Sequence, residues 1–208
     1  MRFVLFCEGH TEHKVLPAFL KRWLDPKLTE PVGVQTVRFD GWAELVKDAS
    51  TKAELYLTGP KSGDVLGVIG LIDLYGPTIY PGGVETIADR YKWMKQHVES
   101  KVNLPKFHMF CAVHEIEAWL LSDPQLLPSK VAAALPGKAS KPETVNFSEP
   151  PAKLLHNLYR AKTRSGYKKV VHGSDLFSRL DPDQAHAKCP YFATLLDQML
   201  QIAKAAGL

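Results

Sequence analysis

DVLGVIGLID, Asp64 to Asp73, is the stretch that decides the fold. Apart from its two acids it holds only apolar residues and glycine. A short, continuously apolar run fits a strand buried on both faces, and such strands belong to parallel sheets covered by helices. The run also ends on a carboxylate, where open α/β sheets gather their chemistry.

Working outward gives the same alternation. RFVLFC (Arg2–Cys7) reads as a second buried strand, stopping at Glu8-Gly9. TEHKVLPAFLKRWL (Thr11–Leu24) has apolar residues at helical spacing, with Pro17 expected to kink or delay the helix. VGVQTVRF (Val32–Phe39) alternates like a strand, and GWAELVKDASTKAELYL (Gly41–Leu57) returns to helix. Beyond Asp73, Gly82–Val102 reads as a long amphipathic helix, Phe107–Val113 as a strand, and a short helix is expected from His114. Strands alternating with helices imply an α/β fold with a mostly parallel sheet flanked by helices.

From Pro124 the texture changes to a long loop rich in Pro, Ser, Lys and Gly with one short helical piece. Helices over Pro151–Arg164 and Tyr191–Gly207 follow. The expected organisation is a core over residues 1–123 and a loop-rich, helical extension over 124–208 that caps it, together one domain.

With 208 residues, 45% hydrophobic and 23% charged, the composition is ordinary for a globular chain and excludes wholesale disorder. A formal net charge of +4 is compatible with an anionic partner without demanding one. Cys7, Cys111 and Cys189 are odd in number and far apart, which argues against a disulfide framework and for a reducing cytosol. No apolar run suits a signal peptide, and none nears the ~20 residues that span a bilayer. A soluble cytoplasmic protein with no membrane role is expected.

The chemistry lies in the acids. Glu8 ends one predicted strand and Asp73 another, while a third runs into His114, Glu115 and Glu117. If these strands are neighbours, the carboxylates converge and repel unless they are protonated or share a cation such as Mg²⁺. Such a site serves phosphoryl chemistry. Simpler roles compete. Asp73 could cap a helix or form a turn, and Glu12 could favour a helix dipole. Glu115 and Glu117 point to different faces if both are helical, so only one should face the site. Glu8 is less easily explained, since Glu is a poor cap and Gly9 suggests a tight turn or a close approach. Cys7, His10 and His13 are possible zinc ligands, but no second cluster completes a set. No G-x-S-x-G and no Walker A spacing is present. Lys162, Arg164, Lys168 and Lys169, interleaved with Tyr159 and Tyr167, could contact phosphates or form a solvated face.

FCEGHTEHKVLPAFL resembles the opening of Toprim-type domains, and its E-G-x-T-E is similar to the version in OLD-family nucleases and RloB-like proteins. VLGVIGLIDLYG resembles the Toprim Asp-x-Asp strand, and AVHEIEAWLLSD a segment of a bacterial family of short Toprim-like proteins. YKKVVHG and KCPYF resemble that family's ending. The resemblance implies a Toprim-like sheet and Mg²⁺- or Mn²⁺-dependent hydrolysis of nucleic-acid phosphodiesters. Glu8 would be the general acid/base or a metal ligand, and Asp73 the first Asp of the pair. Tyr75 stands where the second Asp is expected, so Glu115 or Glu117 would complete the metal site. Gly9 and Glu12 would shape the site, Lys168 or Lys169 would offset charge, and Lys162 and Arg164 would bind nucleic acid. Relatives of this kind often accompany an ABC-type or AAA ATPase in mobile-element and phage-defence systems. The alternative implied by Tyr75 is a non-catalytic partner module of such an ATPase complex.

Overall fold

A β-α-β alternation with buried, apolar strands builds one sheet, seen in a computed structural model that describes residues 1–144 and 149–208. In chain order the core comprises β1 (Arg2–Cys7), α1 (His10–Leu24), β2 (Gly33–Arg38), α2 (Trp42–Leu57), β3 (Val65–Asp73), α3 (Ile87–Val102), β4 (Phe107–Ala112) and α4 (Glu117–Leu120). The sheet order is β2-β1-β3-β4 and every pairing is parallel. The α/β fold expected from the sequence is therefore present. β1 and β3 are central, which is why they are apolar apart from Arg2 and Asp73 at their ends; β2 is an edge strand and only half-buried.

Parallel neighbours need crossovers, and right-handed ones put helices on both faces. α2 and α3 pack on each other and against β3 and β4. α1 packs against β2 and against the tail's last helix, Pro190–Ala205. Pro17 neither breaks nor delays α1. It cannot donate to the His13 carbonyl, and the Thr36 hydroxyl of β2 lies 3.5 Å from that oxygen instead.

Two helix starts fall later than their sequence patterns suggest. α3 begins at Ile87 because Gly83 has φ +85° and the Thr86 hydroxyl caps the helix, accepting from Asp89 N–H at 3.1 Å. No helix starts at His114, whose φ is +67°; the left-handed residue turns the chain, and α4 begins at Glu117.

The tail carries more helix than expected. α5 (Ser129–Ala132) is joined by single turns at Pro124–Leu126, Gly137–Ser140 and Pro142–Thr144. Residues 145–148 of the expected loop lie outside the described residues. Then come α6 (Pro151–Lys162), a wide turn over Lys169–Gly173, α7 (Ser174–Arg179), α8 (Pro182–Lys188) and α9 (Pro190–Ala205). Phe192, Leu195, Leu196 and Met199 of α9 are buried in the same apolar cluster as the strands. Trp119 of α4 joins them, its ring 4.2 Å from Phe192 and 6.4 Å from Phe19. No helix among the described residues is long and apolar enough to cross a membrane.

Candidate functional site at the carboxyl edge

Adjacent parallel strands β1, β3 and β4 end at the same edge, so the residues at or after their ends meet there. Glu8 follows β1 directly. Its Oε1 accepts a hydrogen bond from the Asp73 N–H at 2.7 Å, and the N–H of Trp42, the first residue of α2, also donates to the carboxylate. Both amides favour the charged form, but burial is the larger effect. Helped by the nearby Glu12 charge, it pushes the Glu8 carboxyl up to about 7.

Asp73 closes β3. Burial, then the charges of Glu12, Glu8 and Glu117, hold its carboxyl well above the usual carboxylate range, with Lys169 opposing. No helix begins at Asp73, since the next starts at Ile87, so a helix-capping role does not apply. Glu12, in the first turn of α1, folds its carboxylate back over Gly9. Gly9 has an extended backbone, φ −120°, so glycine is explained here by that close approach: a Cβ would collide with the Glu12 carboxylate.

Glu117 is 1% exposed, and neither carboxylate oxygen has a hydrogen bond among the described residues. Burial pushes it up to about 7, with Glu115 and Glu12 adding and Lys169 opposing. Lys169 reaches in from the tail, with Nζ 3.0 Å from Glu115 Oε1 and 3.5 Å from Glu117 Oε2. Burial alone would lower its pKa, but the charges of Glu117, Glu115 and Asp73 outweigh burial and raise it, so it stays an ammonium. Glu115 also accepts from the Ala152 N–H at 3.0 Å, in the first turn of α6. The expectation that only one of the two glutamates faces the site needs correcting. It assumed both were helical, but Glu115 precedes α4 and both meet Lys169.

The remaining basic residues divide. Lys168 is exposed beside Lys169, and its backbone N–H donates to His172 Nδ1 at 2.8 Å. Lys162 is exposed at the far end of α6, roughly 15 Å along the axis from the turn that touches Glu115. Arg164 lies beyond it, so neither is brought to the acids by α6. Cys7 is buried with Sγ 3.9 Å from the Val37 carbonyl, while His13 Nδ1 lies 2.7 Å from the Thr36 hydroxyl. Nothing draws Cys7, His10 and His13 together as a zinc site.

Among the described residues, no group of three or more His, Cys, Asp or Glu side chains is gathered to chelate one ion. Mg²⁺ does not require such a cage, since it is commonly held by one or two carboxylates, waters and substrate phosphates. Oxygen-only donors, a buried carboxylate without hydrogen bonds and mutually repelling acids fit a hard divalent cation better than zinc. Sequence reasoning missed the Trp42 amide. Its signal was the start of α2 just after Gly41, whose φ of +94° aims the helix N-terminus at Glu8.

Residues 7–200 match the profile of a family described as "Domain of unknown function (DUF4276)". No curated protein matches the chain. Among solved structures it is similar to the C-terminal region of the Burkholderia pseudomallei OLD protein, at 15% identity and a TM-score of 0.47, covering 98% of this chain and 97% of that one. The C-terminal region of the Xanthomonas campestris pv. campestris OLD protein gives 14% identity and a TM-score of 0.46, covering 99% and 98%.

Proposed function

The chain belongs to the DUF4276 family, and we propose that it is a Mg²⁺- or Mn²⁺-dependent hydrolase of nucleic-acid phosphodiesters. One observation carries this reading: Glu8 just after β1, Asp73 at the end of β3 and Glu117 of α4, which follows β4, lie within electrostatic reach of Asp73 or Lys169 at the carboxyl edge of the sheet. The Toprim resemblance of the Glu8-Gly9 and Asp73 segments supports it.

One or two of the Asp73, Glu117 and Glu8 carboxylates, completed by waters and substrate phosphate, would hold the ion, which when bound supplies charge neutralisation for the phosphate and a more acidic water. Glu8 is fixed by two amides, and in the metal-free protein burial raises its carboxyl to about 7, which suits it to exchange a proton where the ion is held by the other acids. Lys169, displaced from its carboxylates, would offset charge on a phosphate oxygen. Glu115 keeps it close by anchoring to α6.

A second reading is favoured by Tyr75, which occupies the place of the second Asp: a non-catalytic module in a complex with an ABC-type or AAA ATPase, as in phage-defence or mobile-element systems. Calorimetry with Mg²⁺ and Mn²⁺ separates the two. Binding by the native chain that is lost in Asp73→Asn and Glu8→Gln, together with cleavage of DNA or RNA, is expected for the hydrolase. A folded native chain that binds neither ion would overturn the hydrolase reading and leave the partner module.

A further inference from the structure

Tyr167 is a buried residue to which the proposed reaction gives no role. It is 5% exposed, and its hydroxyl has no hydrogen bond among the described residues. A phenol buried in this way ordinarily finds a partner. The ring itself is held on two sides. It meets Tyr159 edge-on, with centroids 5.7 Å apart, and packs on His172 at 5.9 Å. The Tyr167 carbonyl lies 3.2 Å from His156 Nδ1. With ring and backbone fixed, the direction of the hydroxyl is fixed too.

That direction is toward the acids. Lys168 has an extended backbone, φ −118° and ψ 111°, so the side chains of Tyr167 and Lys169 leave the chain on the same side. Lys169 on that side comes within 3.5 Å of Glu117. Burial, then the charges of Glu117, Tyr159 and Glu115, push the Tyr167 phenol up, so it keeps its proton and Glu117 is the strongest charge acting on it. Gly173 leaves the hydroxyl its room. A Cβ there would lie 2.9 Å from the Tyr167 oxygen and 3.6 Å from the Thr11 methyl, in the first turn of α1. Gly173 has φ −59°, so the close approach, and not backbone conformation, calls for glycine. A buried donor and a buried carboxylate, neither with a hydrogen bond among the described residues, thus share one corner of the site.

We propose that Tyr167 is a positioning residue of the acid site: its hydroxyl donates, through one bridging water, to the Glu117 carboxylate and fixes that carboxylate for the ion. The inference rests on the metal-dependent reading above. Carboxylates that hold a metal are themselves oriented by hydrogen bonds. A water spanning two buried polar groups serves nearly as well as a direct bond. Tyr167→Phe removes the donor and keeps the ring.

Calorimetry with Mg²⁺ on the native protein, Tyr167→Phe, Gly173→Ala and the double variant tests this, alongside NMR of native protein isotope-labelled at tyrosine Cζ, a carbon whose shift follows hydroxyl hydrogen bonding. Tyr167→Phe should weaken Mg²⁺ binding about tenfold, with a melting temperature close to native. Gly173→Ala crowds the hydroxyl and should weaken binding less. The double variant should bind no worse than Tyr167→Phe alone, because phenylalanine has no oxygen to crowd. The Tyr167 Cζ signal, identified by its loss in Tyr167→Phe, should move as Mg²⁺ is added. Native affinity in Tyr167→Phe, additive losses in the double variant, or a Cζ signal indifferent to Mg²⁺ would each overturn the proposal and leave the hydrolase reading standing. A folded native protein that binds no Mg²⁺ would overturn both.

Discussion

Gly9 is where one missing methyl group positions a charge. Because Glu12 is a flexible side chain, Gly9→Ala should cost little stability: the carboxylate swings away and the backbone is unstrained. The expected result is a melting temperature within a few degrees of native, together with weaker Mg²⁺ binding by calorimetry, since Glu12 no longer adds its field to Glu8 and Asp73. Lys169 is the opposite case. Lys169→Met strips the cation from Glu115 and from buried Glu117, so the protein should lose about 1–2 kcal/mol at pH 8 in urea unfolding, a figure reduced because the lysine is itself half-exposed. At pH 5.5 the loss should shrink, because Glu117 is then largely protonated and needs no partner.

Helix α9 depends on one carboxylate from a distant turn. Glu143 is buried and accepts from the N–H groups of Tyr191 and Phe192 at 2.7 and 3.1 Å, satisfying two donors at the α9 N-terminus. Glu143→Ala should therefore cost about 1–3 kcal/mol, read from the urea midpoint, with α9 amides losing exchange protection first. Nothing in the sequence announces this contact, because 48 positions separate Glu143 from Tyr191. The core elements, by contrast, were legible. β1 and β3 are apolar because both faces are covered, and α1 repeats its apolar residues at the helical period. The boundaries that escaped depend on backbone conformation that periodicity does not encode: the positive φ of Gly83 and His114, and the hydroxyl of Thr86. In the tail, Pro and Gly signalled a loop where the chain makes short turns, each too brief to show a period.

At the scale of the whole molecule the acids set a pH dependence. Glu8 and Glu117 are raised to about 7 from an ordinary value near 4.5, so between these values the folded state holds more protons than the unfolded one. Without metal, stability should fall as pH rises from about 5 to 8. Saturating Mg²⁺ should flatten or reverse that trend in thermal melts, because bound metal favours the ionised carboxylates. Convergence of Glu8 and Asp73 could be anticipated from strand ends alone. The resemblance implies a charge-offsetting role for Lys168 or Lys169, but which of the two, and that it arrives from the tail to meet Glu115, 54 positions away, is not legible in the sequence. The tail also completes the core: α9 buries Phe192, Leu195, Leu196 and Met199 with the strands. Residues 1–123 expressed alone should lack a cooperative melt and bind a hydrophobic dye. Sheet order has a further consequence for synthesis. β1 leaves the ribosome first yet lies between β2 and β3, and β3 begins only at Val65. At roughly 5–20 residues per second, Phe3, Leu5 and Phe6 spend several seconds without one flanking strand, a window for chaperone capture or misassembly. The acid edge is assembled later still, after β4 docks, so an incomplete nascent chain carries no formed site.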